Sequence, residues 1–315
     1  MLVKFHKDMM TYHNRIKKAD ARSEAREAAL RKLRAFLDEN EPELVYLLQN
    51  NWMNQARAIT YKELREAIMI GALDKELIYE WQQDYTRFVE AHMRPLWEKA
   101  MEEAAKEITL KHPIYHFDPA EEGIQQWLDT KATTFVTNST MDQIRAINAV
   151  VAKAAILQDM TVDNLARAIR PMVGLTYQQT NANMKYYTSM VENGLSEKAA
   201  LEKSIRYSAR QSRYRGYNIA RTELAFAYNK GMHFGVQQAI YNGYMGHTVK
   251  TWCTADDGER VCEVCRALDG KTIEMDEDFD FKTKLALTNP RIRQTPPAHP
   301  SCRCTVLYEE IEPPM

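Results

Sequence analysis

The sequence holds five cysteines, Cys253, Cys262, Cys265, Cys302 and Cys304, and all of them fall near its C-terminal end. Cys262 and Cys265 stand in Val261-Cys-Glu-Val-Cys265, and the second cluster is His299-Pro-Ser-Cys-Arg-Cys304. Two cysteines with two residues between them present both sulfurs from one tight turn, with backbone amides directed at the thiolates, and a distant second pair of ligands then closes a tetrahedron. That second pair is either His299 with Cys302 or Cys302 with Cys304. Zinc is the metal this donor set predicts, because it accepts mixed sulfur and nitrogen ligands without redox chemistry. Enough protein ligands exist to fill all four positions and leave none open for water, so the expected site is structural and no catalysis is implied. The competing reading is of free thiols in a small core, with His299 bonding a loop. Cys253, beside Trp252 at the end of a β-prone piece, reads as a small buried side chain.

A second group of residues with chemical potential is basic. Lys203, Arg206, Arg210 and Arg213 recur at spacings that put them on one stripe of a helix, and Arg215 and Arg221 extend the positive run. Tyr207, Tyr214 and Tyr217 are interleaved with them, and no acidic residue occurs between Glu202 and Glu223. Such a face suits a phosphate backbone, with the tyrosines stacking or buried. The plainer reading is a solvated face with the tyrosines in the core, since no base-reading motif accompanies it. Asp256, Asp257, Glu259 and the run from Asp276 to Asp280 fit no cation-binding loop and read as turn carboxylates. His233, between Phe226 and Phe234, reads as a packed histidine and not a base. The sequence carries no phosphate-cradling glycine loop, nucleophile elbow or HExxH pair.

These groups need a frame. At 315 residues the chain is long enough for two domains, and its apolar 45% and charged 27% are close to globular averages. A formal net charge of -1 removes any argument from bulk charge for nucleic acid or anionic membrane. No stretch approaches the roughly 20 clean apolar residues that span a bilayer. The Met1 end, with Lys4, Lys7 and Asp8 and no apolar region behind them, is no secretory signal, so synthesis in a reducing cytoplasm and no membrane partner are expected. An odd cysteine count in such a chain argues against a disulfide framework.

The stretch from Phe5 to about Lys111 reads as several helices, with Pro42 and Pro95 as breaks. Thr60 with Glu63 forms a capping box ahead of Leu64 and Ile68, and Thr140 with Gln143 predicts another ahead of Ile144, Ile147, Val151 and Ala154. A further helix starts at Thr161 and stops near Arg170, because Pro171 follows. Helices run from Thr176 to Asn193 and from Ser196 to about Tyr241. Beyond Gly243, glycines and prolines crowd together with short β-prone pieces, His247 to Trp252 and Cys304 to Tyr308. The expected organisation is a helical N-terminal region (1–111), a linker (112–123), a helical middle region (124–245) and a cysteine-rich metal-binding module (246–315), with helix 203–241 packing on the module. The fold class is mainly α with a small α+β C-terminal module.

Several of these runs resemble a known family. Ile219-Ala-Arg-Thr-Glu-Leu-Ala-Phe-Ala-Tyr-Asn229, Trp252-Cys-Thr-Ala-Asp-Asp257, Val261 to Cys265, Leu268-Asp-Gly270 and Pro296-Pro-Ala-His-Pro-Ser-Cys-Arg-Cys304 are similar, in order and spacing, to the Mu F-like head morphogenesis family of phage minor capsid proteins. Ile59 to Ile68, Trp81-Gln-Gln-Asp-Tyr85 and Ala209-Arg-Gln-Ser-Arg-Tyr214 are similar to longer members.

The resemblance implies a structural minor head protein of the virion, made in the host cytoplasm and placed in the head interior or at the portal vertex. Its implied partners are the portal or the major capsid protein and sometimes packaged DNA, and the alternative function, read from the residues, is a DNA-binding, ejected protein that uses the Lys203 to Arg221 face. Some members carry a toxin domain after the cysteine module. With Glu310 to Met315 closing this sequence, no such effector is expected. A zinc-dependent hydrolase using His299 and nearby carboxylates is the remaining alternative, and it lacks an evident open metal position and base. The protein is therefore expected not to be an enzyme.

Overall fold

The computed structural model describes residues 2–154, 162–255, 261–280 and 294–314. Its elements are α1 (Leu2–Ala58), α2 (Tyr61–Ile70), α3 (Lys75–Phe88), α4 (Arg94–Lys111), α5 (Glu122–Ala154), α6 (Val162–Ile169), α7 (Tyr177–Glu192), α8 (Glu197–Tyr241), β1 (Thr248–Cys253), α9 (Glu263–Leu268), β2 (Thr272–Glu274) and β3 (Thr305–Glu310). The strands form one antiparallel sheet in the order β2-β1-β3, with Lys250 opposite Tyr308 and Cys253 opposite Thr305. The fold is mainly α with a small C-terminal α+β module.

Local signals set many boundaries. The Thr60 hydroxyl accepts from the Glu63 N–H at 3.2 Å, and the Glu63 carboxylate accepts from the Thr60 N–H at 2.6 Å, which is the capping box expected at the start of α2. The same reciprocal pairing joins Thr176 and Gln179 ahead of α7. Helix α6 gives way to a 3-10 turn at Arg170–Met172, where Pro171 stands, while Thr161 lies outside the described residues.

Three expectations are corrected. Pro42 does not break the first region, because α1, 57 residues long, continues through it. Proline removes one backbone bond at a cost of about 3 kcal/mol, and the burial of Leu33, Phe36 and Leu37 before it and Leu44, Val45 and Leu48 after it outweighs that cost. Pro95 does not end a helix either. A π-helical turn at Val89–Met93 precedes it, in which the Arg94 N–H reaches back to the Val89 carbonyl. Thr140 starts no helix: it lies inside α5, where Gln143 instead accepts from the Tyr85 hydroxyl at 3.0 Å.

The chain groups into two compact units, each built from separated stretches. One comprises Glu41–Trp97 and Ala120–Ala220. Its core holds Ile59, Leu64, Leu77, Trp81, Ile147, Val151, Ile169, Leu175 and Met184. A buried polar chain also runs through this unit: Trp52 donates to the Tyr85 hydroxyl at 3.0 Å, Tyr85 to Gln143, and Gln143 to Gln55 at 3.3 Å.

The other unit comprises Met1–Asn40, Glu98–Pro119 and Arg221–Met315, and it contains the sheet. Here α8 lies close against α4. A Cβ added at Gly231 would stand 2.1 Å from the Met101 Cα, and one at Gly235 would stand 2.7 Å from the Ile108 Cδ1. Only glycine lets the two backbones approach so closely.

Candidate metal centre

The site is assembled from two turns. In the first, Cys262 precedes the short helix α9, and the Cys265 N–H donates to its sulfur at 3.3 Å. In the second, Ser301 takes a left-handed conformation with φ of 61°, and the Cys302 N–H donates to the His299 carbonyl at 3.1 Å. A non-glycine residue in that region is uncommon and marks a turn fixed by its surroundings. The tight turn brings His299 and Cys302 each within reach of the Cys265 sulfur.

All five expected donors come together around Cys265. The ligand atoms of Cys262, Cys265 and His299 lie within 4.8 Å of one another, as do those of Cys265, Cys302 and Cys304. The Cys265 sulfur is 3.5 Å from His299 Nε2 and 3.7 Å from the Cys302 sulfur. Tetrahedral zinc, with bonds of about 2.3 Å to sulfur and about 2.0 Å to nitrogen, sets sulfur–nitrogen edges of about 3.5 Å and sulfur–sulfur edges of about 3.8 Å. Each separation matches one tetrahedral edge, the first within the group that holds Cys262 and the second within the group that holds Cys304, and the soft donors suit a zinc-like metal. His299 Nδ1 is 2.9 Å from the Pro300 carbonyl, a contact in which Nδ1 donates and Nε2 keeps its lone pair for a metal.

Cys265, Cys302 and Cys304 are buried, whereas Cys262 and His299 are partly open to solvent. The hydrogen bond from the Cys265 thiol holds the Cys302 thiol well below its ordinary range and pushes Cys265 up. The buried cluster thus favours one thiolate, the form that ligates metal. Cys253 stays apart: it is fully buried, donates to the Thr251 carbonyl at 3.4 Å, and is pushed up to about 11 by burial.

Supporting contacts come from elsewhere in the same unit. Thr222 on α8 accepts from the Ser301 N–H at 2.8 Å. Asn229, two turns further on, donates to the Cys304 carbonyl at 3.2 Å. The Thr254 hydroxyl donates to the Cys265 carbonyl at 2.8 Å, and the Thr254 N–H donates to Asp269 at 3.0 Å. From α1, Arg26 pairs with Asp269, and Arg22 reaches Thr251, Thr272 and Glu309, each within 2.9 Å. Arg22 and Arg26 have no signature in spacing, while Thr254 lies inside the Trp252 to Asp257 run that carries the family resemblance. Thr222 and Asn229 do lie inside the Ile219 to Asn229 run that carries the family resemblance.

The remaining candidates are placed as follows. Lys203, Arg206, Arg210 and Arg213 are exposed on α8 and make no ion pair among the described residues. Tyr214 beside them is 65% exposed. Arg215 leaves this face: it is buried, donates to the Gly174 carbonyl at 2.6 Å and to Asp142 at 3.2 Å, and sits over the Trp52 ring. His233 is buried with Nδ1 3.1 Å from the Tyr308 hydroxyl, as a packed histidine would be. Asp276, Glu277, Asp278 and Asp280 are exposed, and Asp256, Asp257 and Glu259 lie outside the described residues.

A mainly helical protein whose small antiparallel sheet carries a cysteine and histidine cluster able to hold a metal ion is the class this geometry defines. Residues 151–307, which include the whole cluster, match the family described as Phage Mu protein F like protein, and this half of the chain belongs to that phage head family. No curated protein and no solved structure matches the chain. Among the described residues, no helix is long and apolar enough to cross a membrane.

Proposed function

We propose that the protein is a structural minor component of a tailed-phage head, with no catalytic step of its own, whose C-terminal module is closed by one zinc ion. The observation that carries the head assignment is the family match over residues 151–307, which takes in both cysteine turns and the α8 residues Thr222 and Asn229 that bond to the second of them. Its partners are then other head components, the portal or the major capsid protein, and its place is the virion, in the head interior or at the portal vertex. Five soft donors around Cys265 are more than four metal positions require, which favours a closed structural site over a hydrolytic one.

Two measurements test this reading. Immunodetection in purified particles of a phage encoding the chain should find it in full and in empty heads, and its absence from particles would sink the head assignment. Purified protein should carry about one zinc per chain. A chelator should lower the melting temperature of the wild type and leave that of Cys262→Ser unchanged. Protein that binds no metal would end the zinc reading alone.

A second reading, contact with packaged DNA, is favoured by the exposed Lys203, Arg206, Arg210, Arg213 and Tyr214. It requires salt-dependent retention on duplex DNA that is lost in the double variant Arg206→Glu with Arg213→Glu.

A further inference from the structure

A group of buried charges lies where α8 meets the sheet. Lys250 and Tyr308 are directly opposed on β1 and β3, so their side chains share one face of the sheet. Lys230 and His233 stand three residues apart on α8 and share one face of the helix. His233 Nδ1 lies 3.1 Å from the Tyr308 hydroxyl, so these two faces meet. All four side chains are buried, Lys250 at 0% exposure. Lys230 and Lys250 both act against protonation of His233, and Lys250 against that of Lys230, which places the three within electrostatic reach of one another.

Donors outnumber acceptors in this centre. Each lysine ammonium carries three N–H donors. Among the described residues Lys230 donates only to Gln294, at 2.7 Å, and Lys250 only to the Met275 carbonyl, at 2.9 Å. Both acceptors are neutral, and neither lysine has an ion pair among the described residues. Each lies over an aromatic ring, Phe234 at 5.3 Å and Phe279 at 5.7 Å, which offsets part of the charge but accepts no full hydrogen bond. His233 adds another donor. The buried Tyr308 hydroxyl has no other partner among the described residues, so it donates to Nδ1, and the proton of the neutral ring sits on Nε2, which is buried without an acceptor. The hydroxyl of Thr295, next to the Gln294 that Lys230 holds, is likewise buried without a partner.

Buried positive charges and buried donors without acceptors are both costly, and one bound anion relieves both. The carboxylates that act on Lys250, Asp276, Glu277 and Asp278, are exposed to water and form no ion pair with it, and Asp278 forms none with Lys230. We propose that Lys230, His233, Lys250 and Thr295 form a binding site for inorganic phosphate, or for an oxyanion of the same shape and charge, between α8 and the sheet. A phosphate dianion balances the two ammonium groups, and its oxygens, spread in three dimensions, suit donors that come from α8, from β1 and from the segment at Thr295. A planar carboxylate with one charge leaves one lysine unbalanced. The site is independent of the zinc and of the head assignment.

The test uses the full chain at neutral pH in phosphate-free buffer, with inorganic phosphate added and sodium chloride or acetate at equal ionic strength as controls. The readouts are melting temperature and the linewidth of the phosphate signal in phosphorus NMR. The wild type should melt higher as phosphate rises, because a ligand of the folded state stabilises it by mass action, and the signal should broaden. Lys230→Met and Lys250→Met keep the apolar stem and remove one charge and its donors. Each should bind phosphate about 10- to 100-fold more weakly, the loss expected for one hydrogen bond to a charged group. The double variant Arg206→Glu with Arg213→Glu should respond as the wild type does. A wild type that responds equally to phosphate and chloride would overturn the proposal, whether or not the lysine variants fold. A phosphate response kept in both lysine variants and lost in the arginine variant would move binding to the exposed basic face and overturn it as well. Equal stabilisation by acetate would overturn the choice of a tetrahedral dianion.

Discussion

Asn229 spans the junction between the cysteine cluster and the sheet, donating to the Cys304 carbonyl at 3.2 Å while accepting from the Thr305 hydroxyl at 2.8 Å. It also donates to the Ala225 carbonyl one turn back on α8, and it is almost fully buried. One side chain therefore satisfies the polar groups of two consecutive residues at the place where the metal-binding turn becomes β3. Thr305 stands opposite Cys253 on β1, so the same contact fixes where the ladder begins.

Replacing Asn229 with Ala should be costly for that reason. It strands a buried carbonyl and a buried hydroxyl where water has little access, and each unsatisfied group costs about 1–3 kcal/mol. Urea unfolding of metal-loaded protein should show a loss of about 2 kcal/mol or more. An unchanged midpoint would mean that solvent reaches the junction and that Asn229 is not the tie the distances describe.

Gly231→Ala tests the closeness of α8 and α4. The added methyl would fall 2.1 Å from the Met101 Cα and 2.7 Å from its carbonyl oxygen, both backbone atoms, so no side-chain rotation relieves it. The helices must separate, and overpacking of this kind costs about 1–3 kcal/mol. The gain in helix propensity from glycine to alanine, about 1 kcal/mol, acts in the opposite direction. A net loss in chemical denaturation is the expected result, and a gain would show that α8 and α4 shift apart freely.

How much was legible in the sequence depended on whether the signal was local. Thr60 with Glu63 announced α2, and the spacing of Cys262, Cys265, His299, Cys302 and Cys304 announced their convergence, because the physics of a capping box and of paired thiolates lies within a few residues. Pro42 and Thr140 misled for the complementary reason. Each carries a strong local preference, and apolar burial along α1 and α5 overrode it. Gly231 gave no warning, since its role is set by Met101, and Asn229 stood out only as the end of a family-like run, its role being set by Cys304, far away in the chain. The basic stripe was half legible. Helical spacing placed Lys203, Arg206, Arg210 and Arg213 on one face, but it could not foresee that Gly174 and Asp142 would draw Arg215 inward.

That last difference separates two arginines by their effects. Arg215→Ala removes a charged donor from a buried carbonyl and from Asp142, so it should lower stability by about 2 kcal/mol, within the range for hydrogen bonds to charged groups. Arg210→Ala, on the exposed face, should change stability by less than about 0.5 kcal/mol. Thermal unfolding of the two variants side by side gives the comparison. Equal effects would show that burial does not distinguish them.

Lys250 and Lys230 give the protein an expected dependence on alkaline pH. Lys250 is fully buried on β1, donates to the Met275 carbonyl at 2.9 Å and lies over the Phe279 ring. Burial pushes it from 10.5 to about 8, with Asp278, Asp276 and Glu277 opposing that shift. Lys230 on α8, bonded to Gln294, is also pushed down to about 8, by burial first and by Lys250 second. A base with a folded pKa below its unfolded one binds its proton more tightly in the unfolded chain. The cost to the fold is therefore fully present below pH of about 8, shrinks as pH rises, and vanishes above about 10.5.

Stability should accordingly increase between those two values. Lys250→Met keeps the apolar stem and removes the charge. At pH 7 it should stabilise the protein by about 1–2 kcal/mol, the roughly 3 kcal/mol of relieved proton mismatch offset in part by the lost bond to Met275. The rise of stability with pH should also be shallower in the variant. The difference between the wild-type and Lys250→Met curves, taken from denaturation midpoints at pH 7 and pH 9.5, isolates the lysine from cysteines and tyrosines that titrate in both proteins. Parallel curves would show that Lys250 keeps its ordinary affinity for a proton despite its burial.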